Sequence, residues 1–247
     1  MGIDSSRLAF SNNNYPSIKH FHVSAAIYCQ RSYNDSFLRK CDYFIDSQEK
    51  DIQCLINKEG TNLFVCFRGT DNIKDWRSNF NFNLVDIENS SQQFHEGFYK
   101  SWNSVKHSIK NDIEESFDNH VDIQTVIFTG HSAGVVANLA AYDLHDLIKK
   151  EYNKGIEAVT FGAPKCCNEN FKTDFKKKIN CTRFVLKDDI ITQFPIGDTY
   201  KHLGNPIYMR GHMYENKSQR SIFNFLGTVV NEHNIENYVD ELKNLIE

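Results

Sequence analysis

Thr125-Val126-Ile127-Phe128-Thr129-Gly130-His131-Ser132-Ala133-Gly134-Val135 is the stretch on which the reading of this chain turns. Its first five residues form a short β-rich apolar run, the pattern of a strand buried on both faces. From Val135 to Leu147 the sequence reads as a helix. Between the two lies Gly-His-Ser-Ala-Gly. A chain that turns sharply from strand into helix crowds the residues flanking the turn, so glycine is needed on both sides while the serine hydroxyl is presented outward. The helix N-terminus then supplies backbone N–H groups and a partial positive charge where an oxyanion would form. The plainer alternative is a glycine-rich β–α turn with an inert serine.

Working outward, Ser17–Gln30 reads as a helix, and Cys41–Asp46, Ile52–Asn57 and Leu63–Phe67 as strands. Glu59-Gly60 lies between the last two, which predicts an antiparallel meander. Phe98, Trp102, Val105, Ile109, Ile113 and Phe117 recur at spacings of three and four, an amphipathic helix over Gly97–Phe117. After Thr125–Thr129 come a helix over Ser132–Lys150, buried strands at Ile156–Phe161 and Cys181–Leu186, and a closing helix over Asn234–Ile246. Alternating strands and helices predict an α/β chain: a central, mostly parallel sheet flanked by helices, preceded by antiparallel strands. The 247 residues fit one domain, 1–247.

Composition narrows the partners. Lys and Arg number 28 against 32 Asp and Glu, a net charge of −4, which excludes a strongly basic nucleic-acid footprint. No apolar run approaches the length of a membrane-spanning helix. The seven cysteines are odd in number and none are paired as C-x-x-C, so neither a disulfide framework nor a zinc site is expected. The opening MGIDSSRLAF lacks an apolar signal core, which with reduced thiols predicts a cytoplasmic location. Met1-Gly2 with Ser6 fits the myristoylation pattern at Gly2; a chance match is the plainer reading of so short a motif. Lys172, Lys176, Lys177 and Lys178 form a basic run, read first as a solvated helix face and second as a contact for an anionic membrane.

A serine alone is a poor nucleophile. It needs a base, and the base needs an orienting carboxylate. Downstream of Ser132 stand the acids Asp188 and Asp189 and the histidines His202, His212 and His233, so the order serine, acid, histidine is available. Adjacent extended residues point to opposite faces, so only one of the two aspartates is expected to face a common site.

Several motifs in order resemble the class 3, fungal-type lipase family of the α/β-hydrolases. They are Phe67-Arg68-Gly69-Thr70, Ile73–Phe80 (IKDWRSNF), His95-Glu96-Gly97-Phe98, the Gly130–Gly134 turn, Phe161-Gly162-Ala163-Pro164-Lys165, Asp188-Asp189-Ile190 with Phe194-Pro195, and His233 with Tyr238 five residues on. The resemblance spans roughly Ser17 to Leu242. Cys166-Cys167 stands where the family often has Val-Gly, and Thr192-Gln193 replaces the usual first proline and its neighbour.

The resemblance implies an α/β-hydrolase fold and ester hydrolysis through an acyl-enzyme. Ser132 would be the nucleophile, Asp189 the orienting acid and His233 the base. Thr70 and the N–H of Ala133 would form the oxyanion hole. His131 and His95 are read as structural, and Arg68 as half of a structural ion pair. Ile73, Trp76 and Phe80 share one face of a segment that would be a lid; an ordinary surface helix is the alternative. No metal or organic cofactor is expected. The expected substrate is a lipid ester of the triacylglycerol or diacylglycerol kind, with transient contact at a lipid–water interface. The alternatives are a phospholipase A1-type enzyme, an esterase for soluble esters, or a hydrolase scaffold used only for binding.

Overall fold

The computed structural model describes residues 18–47, 52–70, 83–88, 90–209 and 233–246. Its main element is a seven-stranded sheet in the order β1-β2-β3-β6-β7-β8-β9. Strands β1 (Tyr43–Ser47), β2 (Ile52–Glu59) and β3 (Asn62–Phe67) form the expected antiparallel meander. From β3 onward the pairing is parallel through β6 (Thr125–His131), β7 (Gly155–Phe161), β8 (Asn180–Leu186) and β9 (Asn205–Met209).

The side chains of the central strands explain why helices cover both faces. On β3, Leu63, Val65 and Phe67 enter one core while Phe64 and Cys66 enter the other, the period of two that a strand imposes. The first core packs against α3 (Glu96–Asn119) and α4 (Val136–Asp143). The predicted stripe Phe98–Phe117 lies on α3 and is buried throughout. The second core packs against α1 (His20–Arg31) and α6 (Ile235–Ile246), with Ala25, Ala26, Tyr238, Val239 and Leu242 in contact with the sheet. His95 caps α3, its Nδ1 accepting from Phe98 N at 3.4 Å, as a structural residue should.

The expected helix over Ser132–Lys150 is not one helix. It opens as a tight 3₁₀ turn (Ser132–Val135), continues as α4, and ends beyond Leu144 in a wider turn over Leu147–Glu151. The tight entry follows from crowding. A Cβ on Gly130 would meet Gly134 O at 2.2 Å, and one on Gly134 would meet Phe67 O at 2.6 Å. Neither glycine can carry a side chain where the strand folds back, so the first turn winds tightly.

Four elements escape the sequence reading. Helix α2 (Asp35–Leu38) is a single turn capped by Asn34. Strands β4 (Leu84–Asp86) and β5 (Gln93–His95) form a hairpin too short and polar to show period two. Strand β9 contains Pro206, which reads as a break but is tolerated on a sheet edge. Helix α5 (Glu169–Lys178), capped by Asn168, carries the basic run, with Lys172, Lys177 and Lys178 within 4 Å of Glu169 or Asp174. It leads into the start of β8, the sheet end opposite Ser132. That placement suits a solvated face better than a membrane contact beside the site. Among the described residues, no helix is long and apolar enough to cross a membrane.

Candidate active site

Ser132 follows directly on β6 and is the one residue of the elbow held in the left-handed region, at φ +59°. A non-glycine residue there costs about 1–2 kcal/mol, a strain that persists only where the surroundings impose it. It is 1 % exposed. Ala133 is the next residue, in the first turn after the strand, where backbone N–H groups have no partner within the helix.

Thr70 follows shortly after β3. Gly69 before it lies against the elbow: a Cβ there would be 2.5 Å from His131 O and 3.2 Å from Ser132 Cβ. Only glycine permits that approach, and Thr70, the next residue, is half-buried. Arg68 makes its structural contacts as expected, 2.7 Å from Gln53 Oε1 and 3.8 Å from Asp35.

Of the two candidate acids just past β8, one is buried. Asp189 is buried at 2 % exposure, whereas Asp188 is exposed. Asp189 Oδ1 accepts from Ile191 N at 3.0 Å, which caps the 3₁₀ turn Ile190–Gln193. Its Oδ2 lies 2.7 Å from His233 Nδ1. The same Oδ2 accepts from Tyr238 Oη at 2.5 Å, and Tyr238 Oη in turn accepts from Leu186 N at 3.3 Å. Burial, and then the charge of Asp189, push the Tyr238 phenol well above its ordinary range, so it remains a donor.

His233 is fully buried just ahead of α6. Its Nδ1 is held by Asp189, and its Nε2 has no hydrogen-bond partner among the described residues. A buried imidazole with one nitrogen fixed by a carboxylate and the other open is poised to accept a proton. Gly162, at φ +59°, closes the back of this pair: a Cβ would lie 2.8 Å from Asp189 Oδ2 and 2.9 Å from His233 Cε1.

Of the rival histidines, His202 lines a cleft of about 450 Å³ shared with Lys172, Lys176 and Cys181 and with none of Ser132, Asp189 and His233. Burial drives its pKa to about 3, with Arg183, Lys165 and Lys172 adding to the effect. His212 and the expected lid residues Ile73, Trp76 and Phe80 lie outside the described residues, as does Gly2. The structure also brings in Tyr238 and Gly162, to which the sequence reading gave no role, and places His131, read as structural, with its ring tilted against that of His233. Tyr238 and Gly162 sit inside recognised motifs, which was their only signal. All seven cysteines are free thiols.

Comparison with known proteins places this geometry. The model of the family "Lipase (class 3)" matches residues 64–199, more than half of the sequence. The secreted mono- and diacylglycerol lipase 1 of Fusarium solani is 26 % identical over 153 residues, covering 60 % of this chain and 44 % of that protein. The chain thus spans less than half the length of this curated relative. Two solved structures share the fold: an MDLA variant from Penicillium cyclopium (TM-score 0.68, 18 % identity, 90 % of this chain and 86 % of that one), and the triacylglyceride lipase of Rhizomucor miehei (TM-score 0.66, 20 % identity, 76 % and 77 %). The Fusarium relative is a secreted protein, which overturns the cytoplasmic location expected from the N-terminal sequence. An N-terminus without an apparent signal core and a set of unpaired thiols were too indirect to decide the compartment. On the family match, carried by the strand, elbow and acid-loop segments just described, the chain belongs to the class 3 lipases.

Proposed function

We propose that the chain is a serine hydrolase that cleaves lipid esters through an acyl-enzyme, with Ser132 as nucleophile, His233 as base and Asp189 as orienting acid. One observation carries the reading. A serine strained at φ +59° stands one residue from an imidazole whose ring packs, tilted, against that of His233, whose other partner is the buried Asp189 carboxylate. His233 Nε2 takes the Ser132 proton as Oγ attacks the ester carbonyl. Asp189 holds the Nδ1–H tautomer and stabilises the imidazolium. The N–H groups of Ala133 and Thr70 receive the oxyanion. His233 then protonates the leaving alcohol, and water repeats the cycle to release the acid.

Acylglycerols are the substrate class favoured by likeness to the mono- and diacylglycerol lipase of Fusarium and the triacylglyceride lipase of Rhizomucor. The same likeness to a secreted protein favours action outside the cell. The deciding experiment treats the parent and Ser132→Ala with a fluorophosphonate, then with a panel of mono-, di- and triacylglycerols, phospholipids and soluble nitrophenyl esters. Labelling of the parent alone, with turnover of acylglycerols, is expected. Full activity in Ser132→Ala would end the proposal, and turnover confined to phospholipids or to soluble esters would move the substrate class.

A further inference from the structure

The mechanism above leaves one buried histidine of the site unused. His131 precedes the nucleophile and is 4 % exposed. Its ring lies on that of His233, with centroids 4.6 Å apart and planes 32° from parallel. On another side, His131 Nδ1 is 2.9 Å from Tyr33 Oη, at the end of α1. Tyr33 also abuts the segment after β3: a Cβ on Gly69 would come within 2.3 Å of its Oη, and the Arg68 guanidinium lies 5.4 Å from its ring centre. Tyr238, which holds Asp189, meets His131 edge-on with centroids 5.9 Å apart. His131 therefore touches both halves of the site, the oxyanion side through Tyr33 and the acid–base side through His233 and Tyr238.

Resting on the triad proposed above, we infer that His131 is a positioning residue: its ring, anchored by the Tyr33 hydroxyl, is the floor against which the His233 imidazole is held in line between Asp189 and Ser132. An imidazole tethered only at Nδ1 can still tilt about that bond, and a ring packed against it at 4.6 Å restricts the freedom. The floor must also stay uncharged while His233 passes through its imidazolium form. Burial, and then the proximity of His233, drive the His131 pKa well below its ordinary value, and a main-chain group of His233 opposes this only in part. The groups facing His131 are His233, Tyr33 and Tyr238, with Asp189 behind His233 and Arg68 behind Tyr33.

The test compares the parent with Tyr33→Phe, His131→Phe, the double variant and His131→Ala. It measures fluorophosphonate labelling and turnover of a soluble nitrophenyl ester, with thermal unfolding recorded for each. The two Phe variants keep a ring but lose the tether, and kcat is expected to fall about three- to tenfold, the worth of one hydrogen bond, with KM held. The double variant should be no slower than either single one, because both remove the same bond. His131→Ala loses the floor and should lose about 10- to 100-fold in kcat, as a misplaced base does. Labelling of His131→Ala within twofold of the parent, or a loss no greater than in His131→Phe, overturns the inference. If His131→Ala does not fold, Tyr33→Phe decides, and parental kcat in that variant overturns it. Failure of the parent to label at all would instead remove the triad proposal.

Discussion

Replacing Gly162 by alanine adds one methyl group at the point where acid and base meet. Two costs can be worked from the structure. The backbone at φ +59° is unfavourable for any residue with a Cβ, by about 1–2 kcal/mol. In addition, the new carbon would stand 2.8 Å from Asp189 Oδ2, 2.9 Å from His233 Cε1 and 3.1 Å from His233 Nδ1. Ordinary contacts between such atoms are some 3.5–4.0 Å, so the pair must give way by several tenths of an ångström, an overpacking cost of about 1–3 kcal/mol. Gly60 separates the two costs. It sits in the β2–β3 turn at φ +58° with nothing within 4 Å of its would-be Cβ. Gly60→Ala should therefore lower stability by about 1 kcal/mol, roughly 2–4 °C in a chain of this size, and leave turnover alone. Gly162→Ala should lower it by about 2–5 kcal/mol, roughly 4–20 °C. Because displacement of a catalytic group by even 1 Å can cost about 10²-fold, kcat should fall roughly 10- to 100-fold. Calorimetry and nitrophenyl ester kinetics on the two variants check this. Equal unfolding temperatures and equal kcat for Gly60→Ala and Gly162→Ala would refute the claim that Gly162 keeps space for the pair.

Other expectations follow from the same contacts. Asp189→Asn should cost on the order of 10⁴ in kcat and Asp188→Asn almost nothing, as read by single-turnover kinetics; the reverse ranking would move the acid to Asp188. Tyr238→Phe keeps its ring contacts with Phe161 and His131 but deprives a buried carboxylate of one donor. A loss of about 2 kcal/mol is expected by denaturant titration, the worth of a hydrogen bond to a charged group, and unchanged stability would show that the bond is not made. Acid sensitivity should come from buried histidines. His22 is lowered to about 4, by burial and then Lys19, and His202 to about 3. Below the ordinary value near 6.5 the unfolded chain takes up protons that the folded chain refuses, so their contribution is full above that pH and declines as pH falls toward 4 and then 3. Unfolding temperatures measured from pH 7 to 4.5 should fall, and a rise over that range would contradict the assignment.

Much of the fold was legible because its signals are local. The period of three and four in Phe98–Phe117, the apolar run Thr125–Thr129 and the meander ahead of it each carry their own pattern, and the elements form within a residue or two of expectation. The misreadings have local causes as well. Pro206 hid an edge strand, the β4–β5 hairpin is too short to show alternation, and the tight elbow broke what looked like one long helix after Ser132. In the site, Ser132 announces itself through its flanking glycines. The choice between Asp188 and Asp189 could not be made from residue type, and burial of one and exposure of the other separates them.

By itself the sequence determined the strand–turn–helix at Gly130–Gly134, the alternation of strands with helices, and the order serine, acid, histidine, because each depends on residues adjacent or regularly spaced along the chain. Only the tertiary structure decided that Tyr238 shares the Asp189 carboxylate with His233, that Gly162 leaves them room, and that His131 lies beneath the His233 ring. Those relations join residues some 30 to 100 positions apart. Such residues meet only when parallel strands bring their C-terminal ends to one edge of the sheet, and spacing along a chain carries no record of that meeting.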